Sequence, residues 1–390
     1  MHQTKMNKLF IIGNGFDLSL GLKTKYEDFL HKLCFDTLNE AINSNIKESK
    51  DTEIGYLHTG NTVRIHGFAE NSFMSITILS KYAFKPADLK ERFKDLKPFI
   101  DEFRKSDQIK IKIKNSILKE TFLNLTENWV DIERVYFELL KNQLKSLLIT
   151  LENSKAQDKK SLCINIKSSI QQLNTELKEI SDALKEYLSG DVPTNNLDKQ
   201  VKKHFDLFKS PINDSKGLVH QADNIHLLNF NYTNTLSNYC QNEKFQINHI
   251  HGTLDEDIIF GYGDEMDKAY KEMEELNENS FFKYIKSFGY FRNDRYRQLL
   301  GFMASGYFQV NIYGHSCGLS DRVLLNEIFE HDKCDSIRVY HIGEQDYINK
   351  TMEISRHFTS NKLLRNRILP YNPEDEIPQA NSKKQTEYAI

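Results

Sequence analysis

Apolar positions near the start of the chain follow two different rhythms. Residues 8–12 (KLFII) form a short apolar run of strand length that stops at Gly13-Asn14-Gly15, while Tyr26, Phe29, Leu30 and Leu33 return at helical spacing. A run this short is ambiguous alone, but the glycine exit and the helical pattern beyond it favour a buried parallel strand. Thr24, with Glu27 three residues later, reads as a capping box for the helix. From about 40 to 75 the pattern weakens into Asn, Ser, Thr and Gly, which predicts loops with short elements. At 108–114 the alternation QIKIKIK suits a strand and its flanks suit a helix, so both readings stay open.

The middle of the chain is helical in rhythm. Residues 133–148 carry Tyr136, Leu139, Leu140, Leu144, Leu147 and Leu148 on one side, and from Ile166 to Leu188 apolar residues recur mostly three and four apart. These patterns predict a helical insertion built from antiparallel hairpins, serving either to stabilise the fold or to mediate self-association or partner binding. Strand-like runs come back after Pro211, at 225–230 (IHLLNF), 245–250 (FQINHI), 308–313 (FQVNIY) and 336–340 (SIRVY), with a helix at 321–329 between the last two. The strand-loop-helix-strand rhythm is that of a parallel sheet with right-handed crossovers, split in sequence by the insertion. The predicted organisation is therefore 1–75 as the first part of an α/β domain, 76–215 as the insertion, 216–370 as the second part and 371–390 as a flexible tail.

Bulk properties narrow the setting. A length of 390 residues accommodates two or three structural units. With 52 basic against 55 acidic residues, a net charge of -3 disfavours a surface that coats nucleic acid, although a local basic patch is compatible with it. The five cysteines, Cys34, Cys163, Cys240, Cys317 and Cys334, form no CxxC pair, which points to reduced thiols in a cytoplasmic protein with no structural zinc. No stretch reaches the roughly 18 apolar residues of a membrane span.

Candidate chemistry gathers where strands end. Glycines at 13, 15 and 21 would let the backbone approach a ligand and direct N–H groups at an anion. The dinucleotide fingerprint wants its third glycine at 18, where Leu18 stands, and no GK[ST] triplet follows. Ordinary dehydrogenases and ATPases are disfavoured, while nucleotide binding survives. Asp17 either caps a turn or bonds a ribose hydroxyl or reacting group, and Asn14 either holds a left-handed turn or meets the ligand.

Three further clusters follow strands. NFNYTNTL puts Asn229, Asn231, Tyr232, Thr233 and Asn234 at a strand end, where so many polar side chains must meet each other, the backbone or a ligand. In HIHG, alternation would set His249 and His251 on one side of a strand. His251 suits a general base or a ribose contact better than a metal, because an imidazole titrates near neutrality and no thiolate partners are present. In YGHSCGLSD, Gly314, Ser316 and Gly318 fit the nucleophile-elbow pattern of a serine hydrolase, with His341 and Asp346 as nominal partners. That reading leaves the other clusters without work. Asp131 and Glu133, after Trp129, would cap the insertion helix or reach a cleft as an acid/base or ribose-binding pair.

Together, IIGNGFDLSLGLKTKYEDFL, WVDIE, NFNYTNTL, HIHG and YGHSCGLSD resemble the bacteriophage abortive-infection AbiH family, with the motifs in the expected order. That family in turn resembles sirtuin-like NAD-binding proteins, which implies a Rossmann-like (sirtuin-like) α/β fold. The opening Gly13, Gly15, Asp17 and Gly21 match the sirtuin glycine turn, Asn231 the asparagine at a strand end, His251 the catalytic histidine, and Gly314 with Ser316 the ribose-contact segment. Asn14 and Asp17 depart from the sirtuin alanine and serine, and the four-cysteine zinc module is missing, so protein deacylation is not implied. Related defence effectors of this fold consume NAD.

The resemblance thus implies NAD as substrate or ligand. His251, Asn231 and Asp17 would be catalytic, and Gly13, Asn14, Gly15, Gly21, Tyr232, Gly314, Ser316 and Asp321 would contact the nucleotide. A phage-derived trigger and a homo-oligomer through the insertion are the expected partners, with no membrane. Two other classes stand beside this one. One is a nucleotide-gated sensor or interaction protein without NADase activity; the other is a nuclease that recruits a divalent metal through Asp17, Asp131, Glu133 and Asp321.

Overall fold

A computed structural model of the chain describes residues 6–44, 65–79, 85–105, 109–124, 131–153, 156–194, 197–240 and 243–380. They form two compact units. The first comprises Met1–Thr24, Leu144–Ile170 and Glu179–Ile390, and the second Lys25–Gln143 and Gln171–Lys178.

The first unit is built on a five-stranded sheet of β1 (Met6–Ile12), β7 (Ile225–Asn229), β8 (Phe245–His249), β9 (Tyr307–Tyr313) and β10 (Cys334–Val339). All neighbouring pairs are parallel. Their spatial order is β10-β9-β1-β7-β8. Numbered as the chain visits the sheet, this is 3-2-1-4-5 read from the β8 edge, the Rossmann order, with β1 at the centre. Every residue of β1 is buried, as expected of a parallel strand covered on both faces.

One face of this sheet carries Leu9, Ile11, Leu228, Val310, Ile312 and Ile337, packed against Leu299, Met303, Leu325 and Ile328 from the helices Arg295–Ser305 and Arg322–Glu330. The other face is aromatic and polar. Phe10, Phe208, Tyr313 and Tyr340 pack there with ring centroids 4.5–6.3 Å apart. Lys8 reaches across it to donate to the carbonyls of Phe208 and Ser210. Two short strands, β5 (Ile212–Asn213) and β6 (Val219–His220), form a separate antiparallel pair.

The second unit holds an antiparallel sheet of β2 (Ile65–Glu70), β3 (Met74–Leu79) and β4 (Ile109–Ile113). The ambiguous IKIKI stretch is thus a strand. Ile109, Ile111 and Ile113 are buried and the lysines between them exposed, the period of a half-buried strand. The region read as loops and helical insertion therefore contains β structure besides its helices, because a six-residue strand leaves too short a pattern among polar residues. Helix Tyr26–Asn43 packs on this sheet, where Asn71 donates to the Thr37 hydroxyl at 2.9 Å.

The long insertion helices run over Ile132–Asn153 and Ala156–Gly190. Leu173, Leu177, Ile180, Leu184 and Leu188 are all buried, as their spacing requires. Two terminal details differ from expectation. The helix Tyr26–Asn43 starts with the Lys25 N–H donating to Asp28 at 3.2 Å, not with a Thr24–Glu27 box. Residues 371–380, read as the start of a mobile tail, are tied down: Asp375 pairs with Arg338, Ile377 is buried and the Ala380 N–H donates to Ser19 O at 2.7 Å.

Candidate functional site

Because the central sheet is wholly parallel, its carboxyl ends share one edge, and every motif after β1, β7, β8 and β9 emerges there. The order of strands reverses between β1 and β9, so the switch point, where ligands settle in open α/β sheets, is flanked by the Gly13–Gly15 turn and the Gly314–His315 turn. These turns are in direct backbone contact. A Cβ on Gly13 would lie 2.5 Å from His315 Cα, and one on Gly15 2.6 Å from Gly314 Cα. The N–H groups expected to face an anion go elsewhere: Gly13 donates to Tyr313 O at 3.1 Å and Gly15 to Gly314 O at 2.8 Å. The glycines therefore make room for protein backbone.

The side chains around the first turn are bound to one another. Asn14 donates to Thr24 O at 2.9 Å and accepts from the Thr24 hydroxyl at 2.5 Å, closing the loop that contains Gly21, whose φ is +85°. Asn231 donates to Gly13 O at 3.1 Å, and its own N–H is held by Asn229 Oδ1 at 3.1 Å. Thr233 donates to Asp17 Oδ2 at 2.6 Å, and the buried Thr235 hydroxyl also acts on this carboxyl. Burial pushes the Asp17 carboxyl up to about 6, against the opposing pull of the Thr233 bond. Tyr232 donates to Ile259 O at 3.2 Å.

The two histidines of HIHG part company, because β8 ends at His249. His249 accepts from Asn229 Nδ2 at 3.2 Å through Nδ1, and its Nε2 lies 2.6 Å from Ser237 Oγ. His251 lies beyond the strand, next to Gly252 at φ +87°, and belongs to a different cluster. Its Nε2 is 3.3 Å from Asp321 Oδ1 and 3.3 Å from the Tyr290 hydroxyl. Lys286 Nζ sits 2.8 Å from the same Asp321 oxygen, and His315 Nε2 is 3.7 Å from Asp321 Oδ2. All four of these ionisable side chains are buried. Phe230 forms an apolar wall between the histidines, its ring centroid 4.9 Å from His251 and 4.3 Å from His315.

The electrostatics follow from that crowding. Burial lowers the pKa of His251, the Lys286 charge lowers it further, and Asp321 only partly offsets both. Burial brings His315 to about 3. For Asp321, burial alone would raise the carboxyl, but Lys286 and then His251 hold it well below the usual carboxylate range. The cluster thus carries one carboxylate against one ammonium, with two neutral imidazoles. The Cys317 N–H donates to His315 Nδ1 at 3.0 Å, so the neutral His315 carries its proton on Nε2, facing Asp321. Cys317 adopts φ +53°, rare for a residue with a side chain, and His357 donates to its carbonyl at 2.7 Å.

Of the expected residues, His251 and Asp321 meet directly, Asn231 joins Gly13, and Asp17 accepts from Thr233. Ser316 is exposed. The nominal hydrolase partners do not assemble: His341 spends its ring nitrogens on Asn372 O and the Gly343 N–H, and Asp346 accepts from the Ile342 N–H and pairs with Lys350. Asp131 is a helix cap, accepting from the Glu133 N–H at 3.0 Å, while Trp129 lies outside the described residues. Among the described residues, no group of three or more His, Cys, Asp or Glu could hold a metal ion, and no helix is long and apolar enough to cross a membrane.

Lys286 and Tyr290 were not anticipated. The available signal was the aromatic run FFKYIKSFGYF with its two lysines, Lys283 and Lys286, since a lysine among core residues needs a buried partner.

The strand order and the polar groups at its carboxyl edge define an α/β protein of Rossmann-like class. A family model described as bacteriophage abortive infection AbiH matches residues 9–342, and the chain belongs to that family. Membership indicates a role in anti-phage abortive infection. Comparisons with curated proteins and with solved structures each returned no match.

Proposed function

We propose that this protein acts in abortive infection by binding NAD as substrate and hydrolysing its nicotinamide–ribose bond. The observation that supports this reading is the buried His251–Asp321 pair at the carboxyl edge of the 3-2-1-4-5 sheet. A neutral imidazole whose Nε2 faces a carboxylate has Nδ1 left to accept a proton, and the carboxylate then stabilises the imidazolium. In the reaction the C1′–N1 bond breaks and its electron pair goes to the pyridinium ring, releasing neutral nicotinamide. Water attacks C1′ and passes its proton to His251. Because the leaving group departs neutral, the reaction needs positioning and charge stabilisation more than an acid. In this reading Asn231 orients the ribose or the water, Asp17 borders the site, and Gly13, Asn14, Gly15, Gly21, Tyr232, Gly314 and Ser316 surround the nucleotide.

The test uses protein isolated from phage-challenged cells, incubated with NAD and followed by chromatography of nicotinamide and ADP-ribose. Turnover should fall by about 100-fold or more in His251→Ala, the scale of a lost general base, with the thermal transition retained. Unchanged turnover in the folded variant would remove His251 from this role.

A second reading, a nucleotide-gated interaction protein without cleavage, draws on the sealed turns, whose Gly13 and Gly15 N–H groups are already spent on Tyr313 and Gly314. Tight NAD binding with no product under the same activating conditions would select it.

A further inference from the structure

One buried group in the cluster has no part in the hydrolytic step as written. Lys286 is almost fully enclosed, and its ammonium lies 2.8 Å from Asp321 Oδ1, the oxygen that also faces His251 Nε2 at 3.3 Å. One carboxylate oxygen thus serves two cationic or potentially cationic partners.

The lysine is delivered there by a built seat. The Lys286 N–H donates to Tyr262 O at 3.0 Å and the Tyr262 N–H to Tyr284 O at 3.1 Å, pinning the segment alongside the 261–263 stretch. Gly261 and Gly263 make that approach feasible: a Cβ on Gly261 would lie 1.9 Å from Tyr284 O, and one on Gly263 would meet Ser320 O at 3.0 Å and Lys286 Cβ at 3.4 Å. From the next turn, Tyr290 presents its hydroxyl to the same His251 nitrogen at 3.3 Å.

We propose that Lys286 is a positioning residue that neutralises Asp321 and thereby keeps His251 unprotonated, as a base must be before it acts. The proposal rests on the reading of His251 as that base. Its physics is a competition. An imidazole beside an unpaired carboxylate is drawn into the imidazolium form, whereas one beside a carboxylate already paired with an ammonium is not. The charged and titratable groups facing His251 are Lys286 and Asp321, with Tyr290 at its Nε2 and the Tyr232 ring centroid 6.4 Å from its own. His315 lies across Asp321 and feels His251, Lys286 and His357. A lysine that only packs in this seat, without neutralising Asp321, would leave the His251 titration where it is.

The experiment follows the His251 imidazole resonance by NMR against pH in the full chain, assigned by its disappearance in His251→Gln. In Lys286→Met the midpoint should rise by about 1 pH unit or more, the scale of a freed neighbouring carboxylate. In Lys286→Met combined with Asp321→Asn that rise should be lost. Should Lys286→Met fail to fold with its carboxylate unpaired, Lys286→Gln, which keeps a hydrogen-bond donor beside Asp321 without the charge, takes its place and should show a rise in the same direction. An unmoved His251 midpoint in the folded Lys286→Met or Lys286→Gln variant, or a rise that survives addition of Asp321→Asn, would overturn the proposal. The acidic limb of the NAD-hydrolysis pH profile should move up with the resonance in Lys286→Met. Absence of NAD turnover in the wild type alongside the resonance shift would instead remove the hydrolase reading and leave the Lys286 role standing.

Discussion

Asp17 is held at a cost. Its carboxyl is buried, and burial brings its pKa up from 3.8 to about 6 against the opposing pull of Thr233 and Thr235. A folded-state pKa above the unfolded value stabilises below pH 3.8, and that contribution is lost as pH rises through about 6. Above that, the ionised form weighs on the folded state by at most about 3 kcal/mol, taking 1.36 kcal/mol per unit. Asp17→Asn should therefore be more stable than the wild type at pH 7.5, with the difference shrinking towards zero near pH 4, as read from paired thermal melts. A difference constant over that range would mean that Asp17 does not titrate between those limits. A stabilised variant that loses activity would mark Asp17 as retained for function at the expense of stability.

At the same scale, the candidate site was legible only in part. His251 and Asp321 stand in short polar motifs that follow apolar runs, so their location at a sheet edge could be read directly. Lys286 could not be assigned, because it reaches Asp321 from a segment of short helical turns whose seat depends on Gly261 and Gly263. The parting of His249 and His251 was hidden for a simpler reason. Alternation holds only within a strand, and β8 ends at His249.

Among elements, the two glycine turns are the tightest junction at the switch point. Gly15→Ala would place a methyl group 2.6 Å from Gly314 Cα, where backbone on both sides must give way. Overpacking of this kind costs about 1–3 kcal/mol. Gly301, inside the helix Arg295–Ser305, has nothing within 4 Å of an added Cβ, so Gly301→Ala should gain up to about 1 kcal/mol. Urea unfolding with an unchanged slope would show the midpoint falling for the first and rising for the second; equal midpoints would contradict the packing account. Glycine spacing showed that a close approach occurs after β1. It carried no information on what approaches, and the neighbour is the turn after β9, some 300 residues onward. The strands of the central sheet were readable because each is a short apolar run with a polar exit, whereas β2 and β3 lie in stretches too short and mixed to stand out.

At the scale of the whole molecule, family membership and the 3-2-1-4-5 sheet agree on a Rossmann-like protein of anti-phage defence, with its polar clusters on one edge of the sheet. The strand order was beyond the sequence, since it depends on which strands pair after a long insertion. The substrate is the central claim. It is tested most directly by chromatography of nucleotides from phage-infected cells expressing either the wild type or His251→Ala. The account predicts that NAD falls while nicotinamide and ADP-ribose rise in infected wild-type cells, and that NAD is preserved in the variant. Infection aborted by the wild type with NAD unchanged would contradict it.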